Sequence, residues 1–156
     1  MASERLIPLI ARQEGFRADV YRDSLGFWTV GYGYLVTRDK TLTAEQARAL
    51  CGAPWTRERA MAQLRQHVAS VEREVDATWG WAVSLPPLVR DGLIDMAYQL
   101  GIRGVKGFPR MLSALKAGDY AVAEKHALES VWAKEQTPSR AAEVAGMLGN
   151  RVFPKV

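Results

Sequence analysis

Three side chains near the start of the sequence could carry out acid–base chemistry. Glu14 and Asp23 are carboxylic acids nine positions apart, and Thr29 follows with a hydroxyl group. A protonated acid can donate its proton to a leaving oxygen, while an ionised acid and a hydroxyl hold an attacking water. This combination is suited to hydrolysis of a glycosidic bond. In an inverting reaction the two carboxyl groups stand roughly 6.5–9.5 Å apart.

The position of Glu14 at the end of a helix favours the role of proton donor. The sequence predicts a helix over residues 6–14, and Gly15 is a typical residue to follow a helix end. The negative end of the helix dipole disfavours a carboxylate, so the pKa of Glu14 is expected to rise. The simpler alternative is a solvated glutamate in the last helical turn.

Asp23 lies in the turn sequence RDSLG, where aspartate usually bonds to the backbone two residues further on. A structural role is therefore the alternative to a catalytic one. Its proximity to Glu14 favours catalysis, because a chain that leaves a helix and enters a hairpin can bring two acids to opposite sides of one cleft.

The segment FWTVGYGY, residues 27–34, is predicted to be a strand that follows the turn. Alternation along a strand places Thr29, Gly31 and Gly33 on the same face as Phe27. The other face is aromatic and is predicted to pack. The two glycines would leave room for a ligand beside Thr29, although a tight bend that requires glycine is also compatible with them.

The remaining sequence predicts helices. A capping box, Thr43 with Gln46, begins a helix that ends at Gly52, and Thr56 opens a helix that runs to about residue 78. The next helix begins at 84–87 and is predicted to stop at Gly101. Three further helices are predicted in MLSALKAG, in DYAVAEKHALESVW and after Thr137, the last with Pro138 at its first position and Gly149 beyond its end.

These elements predict an α+β fold in a single domain of residues 1–156. A small hairpin lobe (15–55) is joined by a long helix (56–79) to a helical lobe (80–156), with a cleft between the lobes and the N-terminal helix 6–14 attached. The alternative is that the long helix lies across one compact core.

Composition excludes several classes of protein. The chain has 156 residues, of which 48% are hydrophobic and 24% charged, as in an ordinary globular domain. No apolar run is long enough for a membrane span, and the N-terminus does not resemble a signal or anchor, so the protein is expected in the cytoplasm of the producing cell.

Cys51 is the only cysteine and is predicted to be a half-buried small residue, and two distant histidines give no metal-ligand pattern. The net charge of +4 favours polyanionic partners, but no nucleic-acid motif is present.

Several motifs together resemble one known family. They are Glu-x8-Asp-x5-Thr within EGFRADVYRDSLGFWTVGYGYL, the helix DGLIDMAYQLG with GVKGF, and W-x4-TPSRA at residues 132–141. The chain is similar over nearly its whole length to the phage-type lysozymes, the endolysins of glycoside hydrolase family 24, and most of all to their T-even phage branch.

The resemblance implies a muramidase that acts on the β-1,4 bond between N-acetylmuramic acid and N-acetylglucosamine in peptidoglycan. Glu14 would be the general acid, and Asp23 and Thr29 would position and activate the water. The enzyme would need no cofactor or metal, would act as a monomer on glycan strands without stable membrane insertion, and would reach the wall through a holin-like pore.

The resemblance also implies a set of supporting residues. Arg140 would pair with Glu14 and lower its pKa, which opposes the effect of the helix dipole. The saccharide contacts would be Leu35, Tyr98, Gln99, Met111 and His126, of which the last two differ in type from the family. Tyr34 replaces the histidine that is usual there, so an ion pair that stabilises the lobe is expected to be missing.

Two alternatives remain open at this point. A lytic transglycosylase would act on the same bond, but it requires one acid/base and no positioned water. A non-catalytic, cationic protein that binds the wall or disrupts membranes would need none of the three residues.

Overall fold

The computed structural model describes residues 4–156 and confirms the α+β fold class, with one small antiparallel sheet near the N-terminus and helices elsewhere. The elements in chain order are α1 (Leu6–Glu14), β1 (Arg17–Arg22), β2 (Trp28–Gly31), β3 (Tyr34–Thr37), α2 (Ala44–Cys51), α3 (Arg57–Thr78), α4 (Pro87–Val105), α5 (Pro109–Ala117), α6 (Tyr120–Leu128) and α7 (Pro138–Leu148). A short 3-10 helix, Gly80–Ser84, precedes α4, and a π-helical turn, Trp132–Gln136, precedes α7. Within residues 4–156, no helix has both the length and the apolar character needed to cross a bilayer.

The chain divides into two compact units. The sheet unit is Ile10–His67, and the helical unit joins the segment that ends at Leu9 to Val68–Val156. The sheet unit buries apolar side chains from its first helix, its strands, the connection before α3 and the first part of α3, namely Ile10, Val20, Trp28, Val30, Trp55 and Leu64. The helical unit buries a larger set from its helices, including Leu93, Ile94, Met96, Met111, Leu115, Met147 and Leu148.

The sheet has the strand order β1-β2-β3, and both pairs are antiparallel. Thr29 in the central strand lies opposite Tyr21 on one side and Leu35 on the other. The prediction of one continuous strand over residues 27–34 is wrong. Gly31 and Gly33 have φ values of +68° and +76°, so the chain turns there and returns as β3.

The predicted capping box at the start of α2 is confirmed. The Gln46 amide N–H donates to the Thr43 hydroxyl at 3.1 Å, and the Thr43 N–H donates to the Gln46 side chain at 2.8 Å. Gly52, with φ +69°, ends the helix. Both ends of this helix were therefore predictable from local sequence.

Two helix boundaries differ from the prediction. Gly101 has non-helical angles (φ +73°, ψ +165°), but α4 resumes after this kink and continues to Val105. The helix predicted to run into Trp132 ends earlier, at Leu128, and a π-helical turn follows it. Thr137 stands at the N-cap position of α7 as predicted, but its side chain makes no capping hydrogen bond.

A buried arginine joins three elements of the helical unit. Arg90 is only 5% exposed, and its guanidinium donates to both carboxylate oxygens of Asp76 at 2.6 and 3.0 Å. It also donates to the Ala82 carbonyl at 3.1 Å. The hydrogen bonds from Arg90 hold the pKa of Asp76 below its usual value of 3.8.

We expect this ion pair to stabilise the fold in a pH-dependent way. Because the pKa of Asp76 is lower in the folded state, its contribution is fully present above 3.8 and is lost as the pH falls further through the folded pKa. Asp76→Asn should therefore lower the Tm clearly at neutral pH and progressively less below pH 3.8. Thermal unfolding by circular dichroism across this range is the measurement, and a Tm difference that does not narrow in acid would contradict the prediction.

Candidate active site

Glu14 is held at the end of α1, where the backbone comes close to its carboxylate. The Gly15 N–H closes the helix by donating to the Ala11 carbonyl at 2.9 Å. A Cβ atom at Gly33 would lie only 2.8 Å from Glu14 Oε2. The half-buried carboxylate of Glu14 therefore packs against a bare Cα, and glycine at position 33 is required for this approach.

Asp23 has the structural role expected of an aspartate in a turn. The N–H groups of Leu25 and Phe27 each donate to Oδ1 at 2.9 Å, and the Asp23 N–H donates to the Phe27 carbonyl at 2.9 Å. The second oxygen, Oδ2, has no hydrogen-bond partner within residues 4–156. One oxygen thus fixes the carboxylate, and the other remains an acceptor for a water or substrate.

Thr29 is held by the same residue that holds Asp23. Thr29 lies in the central strand and is 4% exposed as a residue, and its hydroxyl donates its hydrogen to the Phe27 carbonyl at 3.0 Å. Since that hydrogen is committed, the lone pairs of Thr29 Oγ1 can only accept. The backbone N–H and C=O of Phe27 therefore anchor the side chains of Asp23 and Thr29 together.

The prediction that Gly31 clears space for a ligand is wrong. A Cβ atom at Gly31 would lie 3.0 Å from the indole of Trp55 and 3.2 Å from the Ala60 methyl group. The space beside Gly31 is filled by the core of the sheet unit, because the left-handed turn takes this residue out of the strand alternation. At Gly33 the space is taken by Glu14, as described above.

Tyr21 is a further residue of this site that was not identified from the sequence. Partial burial raises the pKa of its hydroxyl, and the negative charges of Glu14 and Asp23 add to this effect, while Arg17 opposes it. The hydroxyl therefore lies in the field of both acids. Tyr21 lies in the last part of β1 and Asp23 follows the strand directly, and this closeness in sequence was the available signal.

Tyr34 and Leu35 are neighbours in β3, but they contact different parts of the sheet unit. Leu35 is half-buried and directly opposite Thr29, and its role as a saccharide contact stays a prediction. The Tyr34 ring packs against Trp55, with the ring centroids 5.2 Å apart. An aromatic contact within the sheet unit thus occupies the position where a histidine is usual.

Arg140 is bound to a buried acid of the helical unit. Its guanidinium donates to Asp95 Oδ1 at 2.8 Å, and Asp95 is completely buried. A buried carboxylate requires such a partner, since its desolvation would otherwise be unfavourable. The pairing of Arg140 with Glu14 stays a prediction.

Two predicted saccharide contacts, Tyr98 and Gln99, lie on α4, and Gln99 is hydrogen-bonded within the helical unit. The Gln99 side chain donates to the Thr137 hydroxyl at 3.0 Å and accepts from the Trp132 indole at 3.2 Å. The Thr137 hydroxyl thus binds Gln99 and makes no capping hydrogen bond to α7. Tyr98, beside Gln99, is half-buried.

Met111 and His126 border one cavity of about 570 Å³ in the helical unit. Met111 is completely buried, so it forms part of the wall through packing. His126 is half-buried, with its ring 3.7 Å from the Glu129 carboxylate. The structure thus brings these two predicted contacts together, although Met111 offers no exposed surface.

Other potential reactive groups have ordinary surroundings. Cys51 is buried, and its thiol faces the Arg48 carbonyl at 3.9 Å. Within the described part of the chain, no three side chains of the metal-binding types form a cluster.

The sequence is similar to several known phage proteins. The chain is 31% identical over 150 residues to the pre-baseplate central spike protein Gp5 of Enterobacteria phage T4, an alignment that covers 87% of this chain and 26% of that protein. It is 34% identical over 110 residues to the peptidoglycan hydrolase gp36 of Enterobacteria phage SP6, covering 64% of this chain and 11% of that one. It is 26% identical over 155 residues to the endolysin of Acyrthosiphon pisum secondary endosymbiont phage 1, covering 98% and 94%.

The chain spans about a quarter and a tenth, respectively, of the length of the first two relatives. The family model of the phage lysozymes matches residues 11–151, which include Glu14, Asp23, Thr29 and every residue predicted to support them. The chain belongs to the phage lysozyme family.

Proposed function

We propose that this protein is a muramidase that hydrolyses the β-1,4 bond between N-acetylmuramic acid and N-acetylglucosamine in peptidoglycan, with inversion at the anomeric carbon. Membership of the lysozyme family, together with relatives named as a peptidoglycan hydrolase and an endolysin, supports peptidoglycan as the substrate. The bond and the inverting course of the reaction are what the resemblance to the phage-type lysozymes implies, and the two acids and the hydroxyl group offer the chemistry that such a reaction needs.

In the proposed reaction, Glu14 donates its carboxylic proton to the glycosidic oxygen, which leaves as a hydroxyl group. A water attacks the anomeric carbon from the opposite face of the sugar and gives up a proton to Asp23 Oδ2. Thr29 Oγ1 accepts the second hydrogen bond from that water and thereby orients it. The product is a free reducing end of inverted configuration.

The observation that carries this proposal is the anchoring of Asp23 and Thr29 on the backbone of Phe27. Asp23 offers a charged acceptor and Thr29 a neutral one, so a single water can donate one hydrogen to each. A lytic transglycosylase has no need to position a water, so this pair of acceptors favours a hydrolase.

Binding of more distant parts of the polymer is also part of the proposal. Leu35, opposite Thr29, would contact the sugar nearest the reacting bond. Tyr98 and Gln99 would contact further saccharide units. The cavity beside His126 would accept an outlying group of the polymer, with Met111 as part of its wall.

Product analysis on purified peptidoglycan tests the reaction. Mass spectrometry should find free reducing ends that carry ¹⁸O when the reaction is run in labelled water, and proton NMR should find the α-anomer first. A 1,6-anhydro product would indicate a transglycosylase. A β-anomer formed first would overturn the inverting mechanism, and the absence of cleavage would overturn the enzymatic function.

The contact between Gly33 and Glu14 leads to a sharp prediction. In Gly33→Ala, the new methyl group would stand 2.8 Å from Glu14 Oε2, and the residue would have to keep a φ of +76°. The carboxylate must shift, and misplacement of a reacting group by about 1 Å can lower a rate by about 100-fold. We expect the lytic rate to fall by about 10- to 100-fold.

Gly118→Ala provides a matched control for backbone strain. Gly118 has a similar φ of +82°, but a Cβ atom there would meet nothing within 4 Å. Both variants should lose about 1–2 kcal/mol of stability, because alanine is unfavourable in left-handed backbone. Only Gly33→Ala should lose activity, and equal activity of the two variants would contradict the proposed position of Glu14.

A further inference from the structure

Tyr21 occupies the same row of the sheet as Thr29 and Leu35. It lies directly opposite Thr29 in the antiparallel pair of β1 and β2. Opposed residues in such a pair project to the same face, with Cβ atoms about 4.5–5.5 Å apart. The phenol ring therefore stands immediately beside the hydroxyl group that is proposed to orient the water.

The hydroxyl group of Tyr21 is influenced by both acids. Burial raises the pKa of this hydroxyl most, and the negative charges of Glu14 and Asp23 raise it further. A negative charge on the phenol would be repelled by both carboxylates. The group accordingly stays a neutral O–H, and its proton remains available for donation.

The ring of Tyr21 is held in place while its hydroxyl remains available. The Arg17 guanidinium lies 4.5 Å from the ring centroid, and the residue is half-buried. Within residues 4–156, the Tyr21 hydroxyl makes no hydrogen bond. A partly buried donor that stands beside Thr29 and has no protein partner is a group placed to meet a ligand.

We propose that Tyr21 contacts the substrate, and that its hydroxyl donates a hydrogen bond to an oxygen of the sugar unit bound between Glu14 and Asp23. This inference rests on the proposed function. Of the uncharged donors in the site, the Thr29 hydroxyl is committed to the Phe27 carbonyl, so Tyr21 supplies what Thr29 does not. Hydrogen bonds to the sugar at the reacting carbon strengthen as the ring distorts toward the transition state.

The test is Tyr21→Phe, which removes only the hydroxyl and keeps the ring beneath Arg17. Steady-state kinetics on a soluble oligosaccharide of alternating N-acetylglucosamine and N-acetylmuramic acid should give a kcat about tenfold lower, as expected for loss of one hydrogen bond. The KM should change less than about twofold, because ground-state binding is spread over several sugar units. The Tm should match that of the unchanged protein, since no protein hydrogen bond is lost.

Tyr34→Phe is the matched control. Tyr34 is a half-buried tyrosine of the same sheet, and its ring packs on Trp55. Removal of the Tyr34 hydroxyl in Tyr34→Phe should leave kcat and KM unchanged. If Tyr21→Phe retains kcat within about twofold, or loses no more than Tyr34→Phe, the inference is wrong.

Failure of the proposed function would look different. The unchanged protein would then release no reducing ends from the oligosaccharide, and neither tyrosine variant would alter a rate. Cleavage by the unchanged protein with full activity in Tyr21→Phe would instead refute the role of Tyr21 alone.

Discussion

Glu14→Gln is expected to lower the rate of peptidoglycan cleavage by about 10³-fold, the typical contribution of a positioned general acid. Glutamine has nearly the same shape and can occupy the space beside Gly33, but it has no acidic proton for the leaving oxygen. The release of reducing ends from purified peptidoglycan is the measurement. Circular dichroism should find the Tm of the variant close to that of the unchanged protein.

The same variant separates catalysis from non-catalytic lysis. A cationic protein that binds the wall or disrupts membranes would not need the Glu14 proton. Clearing of chloroform-treated bacteria by Glu14→Gln at the rate of the unchanged protein would therefore refute the muramidase proposal. We expect clearing to fall in parallel with reducing-end release.

Asp23→Asn should be almost as damaging to activity, with a loss of about 10²- to 10³-fold. The asparagine side-chain oxygen can still accept from the N–H groups of Leu25 and Phe27, which donate to Oδ1 in the structure. The turn should therefore remain, while the second oxygen, Oδ2, is replaced by an uncharged NH2 group that donates hydrogen bonds and cannot accept them. An asparagine cannot take a proton from the attacking water.

Comparison with Asp23→Ala separates the structural role of Asp23 in the turn from its proposed catalytic role. This change removes both functions, so stability should fall by about 1 kcal/mol as the two N–H groups lose their acceptor. Asp23→Asn should keep the Tm and lose the activity. If Asp23→Asn kept most of the activity, Asp23 would have only a structural role in this protein.

Much of the fold could be predicted because its signals are local. The capping box of Thr43 and Gln46 and the glycine at position 52 specify both ends of α2 within ten residues of sequence. The motif of Glu14, Asp23 and Thr29, together with DGLIDMAYQLG, GVKGF and W-x4-TPSRA, indicated the lysozyme family, and the family match over residues 11–151 confirms it. Gly101 was misjudged because a single left-handed residue can interrupt a helix without ending it.

The parts of the site that could not be predicted depend on neighbours distant in sequence. Nothing near Gly31 indicates that the Trp55 indole fills the space beside it. The bond between Arg140 and the buried Asp95 joins residues 45 positions apart. Tyr21 was not singled out because its place beside Thr29 depends on the pairing of β1 with β2, and no register was assigned to that pair from the sequence.

The bonds that hold Asp23 and Thr29 reach the peptide groups of Phe27 and not its ring. The ring itself lies near the side chains of Arg38 and Lys40. The positions of the Asp23 carboxylate and the Thr29 hydroxyl therefore do not depend on the type of side chain at position 27, provided that the residue is not proline and keeps its N–H. Mutation can thus remodel the surface at this position over generations while the reacting groups keep their places.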